Sequence, residues 1–160
     1  MKEANAKILL VDDDDSLRRV LEFQLSEAGH SVVSEGDGRE ALKSYSAEDF
    51  DCVITDWRMP KMTGSQLVSQ ATAINSEIPI IVITAFGDVD TAVEAMRGGA
   101  FDFITKPFNR QEILLTVEKA LKYGHALAEN RRLRRQIHED FRIENVIGTS
   151  EKMLQVFDLV

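Results

Sequence analysis

A chain of 160 residues holds one domain of ordinary size and a few tens of residues more. Its 27 acidic side chains outnumber 19 Lys and Arg, a net charge of −8, which argues against general affinity for nucleic acid. The lone Cys52 excludes an intramolecular disulfide and favours a reducing compartment; with no secretory core in MKEANAK and no apolar run near the roughly 18 residues of a membrane helix, a cytoplasmic protein is expected.

In chain order, the apolar run from Ile8 to Val11 reads as a strand and ends in four acids, Asp12-Asp13-Asp14-Asp15. Leu17, Val20, Leu21 and Leu25 then recur at helical spacing, and Asp14 or Asp15 is placed to cap that helix. Ser31 to Val33 forms a second strand. A third, Cys52 to Thr55, delivers a single carboxylate, Asp56, ahead of the turn Trp57-Arg58-Met59-Pro60. Cys52, inside that run, reads as a small buried hydrophobe rather than a reactive thiol. Leu67, Val68, Ala71 and Ile74 make the next helix, and Ile80 to Thr84 the fourth strand. Ala92, Val93 and Met96 follow at helical spacing, ended by Gly98-Gly99, before a fifth strand from Phe103 to Thr105 that stops at Lys106. His30, His125 and His138 have no metal-ligand spacing, so surface or cap positions are expected for them. Continuous β-branched runs suit strands buried on both faces, and β-α alternation with right-handed crossovers predicts a doubly wound α/β domain with a parallel sheet.

From Asn109 the pattern stays helical to about Asp140, longer than a usual globular helix, so its later half is expected to leave the domain. Read as heptads, Ala126, Asn130, Leu133 and Ile137 form a short seam, and a buried Asn at such a position pins parallel, in-register dimers. A solvated linker helix is the competing reading, and Arg131 to Arg135 reads as a hydrated flank. After a loop, VIGTSEKMLQVFDLV restarts with Ser150 as cap and Met153, Phe157 and Val160 on one face. The expected organisation is residues 1–123 as the main domain, 124–143 as a helical linker, and 144–160 as the opening of a further, truncated domain.

Ligands of parallel α/β sheets sit beyond the carboxyl ends of the strands, where strand order reverses. Four such ends carry polar groups here: Asp12 to Asp15, Asp56, Thr84 and Lys106. Gathered carboxylates repel unless a cation joins them, and their oxygens with a backbone carbonyl and waters suit magnesium. A hard cation beside a further carboxylate, an ammonium and a hydroxyl is equipment for phosphoryl transfer, with the carboxylate itself able to act as nucleophile. Each residue alone has an ordinary explanation as cap, turn or surface charge. Their joint occurrence favours function.

The segments KILLVDDD, VITDWRMPKMTG, IIVITAFGD and GGAFDFITKPF resemble the motifs of response-regulator receiver domains over roughly residues 5 to 123. The resemblance implies a flavodoxin-like, CheY-like five-stranded sheet of order 2-1-3-4-5. It further implies magnesium, with manganese as a substitute, served by Asp12, Asp13, Asp56 and the backbone carbonyl of Arg58. Asp56 matches the phosphoacceptor, Thr84 the hydroxyl that moves to meet the phosphoryl group, and Lys106 the lysine that pairs with it across a cis bond to Pro107. Phe103 falls at the aromatic switch position, and Arg58 and Phe86 at variable positions that tune phosphoryl lifetime. GGAFDFITKPF, the linker ENRRLRRQI and VIGTSEKMLQVF resemble an NtrC-like activator of sigma-54 RNA polymerase, in which an AAA+ ATPase domain follows the linker. No G-x-x-x-x-G-K phosphate loop and no helix-turn-helix occurs in these residues, so neither ATPase activity nor direct nucleic-acid binding is expected of them.

The implied partners are a sensor histidine kinase, the AAA+ domain of the full-length protein, and a second copy. That copy would pair through the fourth helix, fifth strand and fifth helix or through the linker helix. Such a domain is not an enzyme beyond its own phosphorylation and dephosphorylation. Two other functions fit parts of the pattern: a haloacid-dehalogenase-like phosphatase, with Asp12 as nucleophile and Asp14 as acid/base, and a pseudo-receiver that binds protein without phosphate. The first leaves Asp56 idle, and the second gives the acid, Thr and Lys set no reason to stand together.

Overall fold

The structure is a computed structural model that describes residues 5–85 and 89–148, with side chains as far as residue 141. Phe86 and the tail residues Ser150, Met153, Phe157 and Val160 lie outside the described residues. Strands and helices alternate as β1 (Lys7–Val11), α1 (Asp15–Glu27), β2 (Ser31–Glu35), α2 (Gly38–Ala47) and β3 (Cys52–Asp56). They continue as α3 (Gly64–Ile74), β4 (Ile80–Thr84), α4 (Val89–Arg97), β5 (Asp102–Thr105) and α5 (Arg110–Gly148). All pairings are parallel, in the order β2-β1-β3-β4-β5.

The chain leaves β1 first to one side of the sheet and then returns to the other, so strand order reverses between β1 and β3 and opens a crevice at their carboxyl ends. Strands β3 and β4 are buried on both faces, which is why their sequences read as unbroken apolar runs. Leu9, Val11, Val53 and Val82 face one core with α2 and α3, while Ile8, Leu10, Ile54, Ile81 and Ile83 face the other with α1 and α5. Cys52 lies inside the second core, its thiol pushed up to about 12 by burial, as expected of a small hydrophobe.

Local chemistry sets the helix starts. Asp14 caps α1 by accepting the Leu17 amide hydrogen at 3.1 Å. Thr63 caps α3 in a reciprocal box: its hydroxyl accepts from the Gln66 amide at 3.2 Å, and the Gln66 side chain accepts from the Thr63 amide at 3.0 Å. Thr63→Ala is expected to lower stability by about 1 kcal/mol while Thr63→Ser restores most of it, read from denaturant midpoints. Gly98 and Gly99 close α4, with Gly99 at φ +113°, where a side chain would be strained.

At three points the structure goes beyond or against the sequence pattern. The helix predicted to end near Asp140 runs on to Gly148, because nothing from Phe141 to Ile147 breaks it before the glycine, so the expected loop is absent there. His30 is not at the surface: it is 9% exposed, and its Nδ1 accepts the Ala6 amide hydrogen at 3.4 Å under the amino ends of β1 and β2, while its amide donates to the Leu25 carbonyl at 3.1 Å and so helps to cap the end of α1, as the expected cap role has it. Val20, Val93, Met96 and Ile74 follow helical spacing yet are exposed. Periodicity finds a helix without finding the width of its buried stripe.

The chain separates into two compact units, Met1–His125 and Ala126–Val160. In the second, Ala126, Asn130, Leu133 and Ile137 are all exposed, Ile137 by 69%. Arg132 holds Glu129 through two hydrogen bonds, at 2.6 and 3.2 Å, one helical turn apart.

Candidate phosphoacceptor site

Register places the acids. Val11 pairs with Thr55, so the next residues of β1 and β3, Asp12 and Asp56, emerge side by side at the crevice. Asp12, Asp13 and Asp56 each offer a carboxylate oxygen, and the three lie within 4.8 Å of one another. Lys106 enters from the end of β5, where its amide donates to the Thr84 carbonyl at 2.8 Å and the following peptide bond to Pro107 is cis. Its ammonium stands 3.3 Å from Asp56 Oδ2. The Arg58 amide donates to Asp56 Oδ1 at 3.3 Å, bringing the backbone of residue 58 beside the same carboxylate.

Burial is uneven. Asp12 is 0% exposed, Asp56 8% and Thr84 1%, whereas Asp13 is open to solvent. Asp12 Oδ1 accepts from the Asp14 amide at 2.9 Å, but among the described residues Asp12 Oδ2 and Thr84 Oγ1 have no hydrogen-bond partner. Buried polar atoms left in this way need an explanation. The orphaned Asp12 oxygen within a three-carboxylate cluster is a donor set that a hard divalent cation fits, and an unpartnered hydroxyl is free to engage a new acceptor. Phe103 is 38% exposed in this structure, on the opposite face of β5 from buried Ile104.

Asp12 is pushed up to about 6, first by burial and then by the Asp56 and Asp13 carboxylates, against the pull of the Asp14 amide and Lys106. Without a divalent cation this has a definite sign. A folded value above the ordinary 3.8 means a contribution to stability that is present below pH 3.8, fades as pH rises through the folded value, and is gone above about 6. The full swing is roughly 3 kcal/mol. Denaturant unfolding in chelator at pH 4 and pH 7 is expected to show a smaller loss on raising pH for Asp12→Asn than for the wild type, and added magnesium at pH 7 should recover stability only in the wild type. Equal pH dependence in the two proteins would exclude this account.

The structure thus brings together Asp12, Asp13, Asp56, the Arg58 backbone and Lys106, and buries Thr84 at the end of β4. Asp14 is committed to capping α1, which leaves the phosphatase alternative without its acid/base. Sequence reasoning missed Arg18. On α1, it donates to the Asp12 carbonyl at 2.5 Å and to Asp15 Oδ1 at 2.6 Å. Only the i, i+3 spacing from Asp15 hinted at a role.

Residues 8–118 match the family model of the response regulator receiver domain. The C4-dicarboxylate transport transcriptional regulatory protein DctD of Pseudomonas aeruginosa is 38% identical over 160 residues, covering 99% of this chain and 34% of that protein. A receiver domain protein from Clostridium thermocellum superposes with a TM-score of 0.73 at 31% identity, covering 76% of this chain and 98% of that one. NtrX from Brucella abortus, solved in complex with ADP, gives 0.73 at 29% identity, covering 97% of this chain and 33% of its own. The chain spans about a third of the length of these curated relatives that it matches. Transcriptional regulators and NtrX among these relatives agree with the NtrC-like resemblance in the sequence. With more than half of its residues inside the family model and the site built at its switch point, the chain belongs to the family of response regulator receiver domains.

Proposed function

We propose that this receiver domain accepts a phosphoryl group on Asp56 from the phosphohistidine of a sensor histidine kinase. The observation that carries the proposal is the Asp56 carboxylate facing Lys106 at 3.3 Å in a crevice shared with Asp12 and Asp13. An Asp56 oxygen attacks phosphorus, the phosphorus–nitrogen bond of the donor breaks, and its imidazole leaves with the electron pair and takes up a proton. Lys106 balances charge on the transferred group, and Thr84, buried and without a hydrogen-bond partner among the described residues, supplies a hydroxyl to one of its oxygens. A magnesium or manganese ion, held by Asp12, Asp13, Asp56 and the Arg58 carbonyl, supplies charge neutralisation when bound. Catalysis is confined to the domain's own phosphorylation and dephosphorylation.

The new dianion biases a two-state equilibrium through Thr84 and Phe103, remodelling the face formed by α4, β5 and α5. Because α5 continues through Ala126, Asn130, Leu133 and Ile137, a change in pairing of two copies along α4–β5–α5 or along that seam is the output. In this reading residues 1–123 are the receiver, 124–143 the linker, and 144–160 the opening of an AAA+ domain that acts on sigma-54 RNA polymerase in the full-length, cytoplasmic protein. Among the described residues no helix is long and apolar enough to cross a membrane. Intact mass after incubation with a small-molecule phosphodonor, with magnesium or with chelator, tests the proposal. One phosphate adduct, dependent on the cation and mapped to Asp56, is expected; no adduct from either this donor or a candidate kinase would leave a pseudo-receiver.

A further inference from the structure

Asp12 and Asp13 are consecutive, so one peptide plane sets the directions in which both side chains leave the backbone. That plane is held from outside the acidic cluster. Its carbonyl oxygen, on Asp12, accepts from Arg18 Nη1 at 2.5 Å, and Arg18 Nη2 is tied at 2.6 Å to Asp15, which begins α1. The Arg18 side chain is only 19% exposed. It lies against the end of β2, where a Cβ placed on Gly36 would come within 3.0 Å of Nη1 and 3.6 Å of Cζ. The Asp12 amide donates to the Glu35 carbonyl at 3.1 Å, so residue 12 is held on both sides, its amide by the neighbouring strand end and its carbonyl by α1 through the guanidinium.

We infer that Arg18 is a positioning residue for the acidic pocket, fixing the Asp12–Asp13 peptide plane so that both carboxylates stand ready for a divalent cation, with Gly36 left bare to seat the guanidinium. A planar fork that reaches two acceptors suits this task better than an ammonium, which is a single point of donation. The inference rests on the cation-site reading above. Groups that orient ligands in this way commonly alter metal affinity by 10- to 100-fold.

The test is a manganese(II) titration of the metal-free protein followed by electron paramagnetic resonance, in which bound ion leaves the free signal. Far-UV circular dichroism and denaturant midpoints check folding. Arg18→Ala is expected to weaken manganese binding by about tenfold or more, with Arg18→Lys intermediate. Gly36→Val, which wedges a side chain against the guanidinium, should weaken binding severalfold. In the Arg18→Ala background it should add nothing, a non-additivity that general destabilisation would not produce. Wild-type affinity in Arg18→Ala, or an equal Gly36→Val effect in both backgrounds, overturns the inference alone. No manganese uptake by the wild type overturns the cation-site reading and this inference with it.

Discussion

Asp56→Asn is expected to acquire no phosphate from a phosphodonor that fully labels the wild type, a loss of at least about 10³-fold in labelling rate, while remaining folded and no less stable at neutral pH. The chemical part follows from the nucleophile. An amide oxygen at position 56 keeps an acceptor for the Arg58 amide, which donates to Oδ1 at 3.3 Å, but an amide is a far weaker nucleophile than a carboxylate. The stability part follows from electrostatics. Asp56 is among the causes that raise Asp12, so removing its charge eases ionisation of a carboxyl that is wholly buried. Against this stands the lost pairing with Lys106, whose side chain is 36% exposed and whose partner is 11% exposed, a setting in which an ion pair contributes about 1 kcal/mol or less. Relief of repulsion within the acidic cluster offsets that loss. Intact mass and urea unfolding in chelator, run on one preparation, read both parts; an adduct retained in the variant would place the nucleophile elsewhere.

Much of this was legible in the sequence, and the reason is topological. Parallel strands buried on both faces must be continuous apolar runs, and each must stop where the crevice begins, so a polar residue directly after such a run marks the site. Asp12, Asp56, Thr84 and Lys106 were found by that rule, and the structure sets the first two beside each other and the last against Asp56. Residues that act through the backbone were not legible. Arg18 looks like any helical surface arginine, and its bond to the Asp12 carbonyl exists only because α1 packs where it does. Gly36 reads as a turn glycine; that a guanidinium takes the space of its missing side chain is a tertiary fact. Phe103 sits on an edge strand, where alternation assigns opposite faces to neighbours but not which face is covered. The end of α5 was misplaced because a helix with few apolar demands stops at a breaker rather than at the end of a pattern.

Gly64→Ala is the substitution expected to cost most among those outside the acids. Gly64 is the first residue of α3, and its amide donates to the Trp57 carbonyl at 2.9 Å, drawing the turn that carries Arg58 to Thr63 back onto the end of β3. A methyl added there would lie 2.5 Å from the Asp56 carbonyl oxygen, 2.6 Å from the Trp57 Cα and 3.0 Å from the Trp57 carbonyl oxygen. All three are backbone atoms, so no side-chain rotation relieves the clash. Either α3 lifts from the sheet or the Asp56–Trp57 peptide moves. Both costs exceed the gain in helix propensity that alanine brings, and a loss of about 3 kcal/mol is expected, lowering the melting temperature of a domain of this size by roughly 10 °C. Gly98→Ala, where the nearest atom is the Glu94 carbonyl oxygen at 3.3 Å, is the matched control and should change stability by no more than about 1 kcal/mol. The displaced peptide belongs to the phosphoacceptor itself, so the surviving folded fraction of Gly64→Ala should also label more slowly than the wild type. Wild-type stability together with a wild-type labelling rate would mean that the turn around Arg58 yields without disturbing Asp56, and that its close packing on Gly64 plays no part in setting the site.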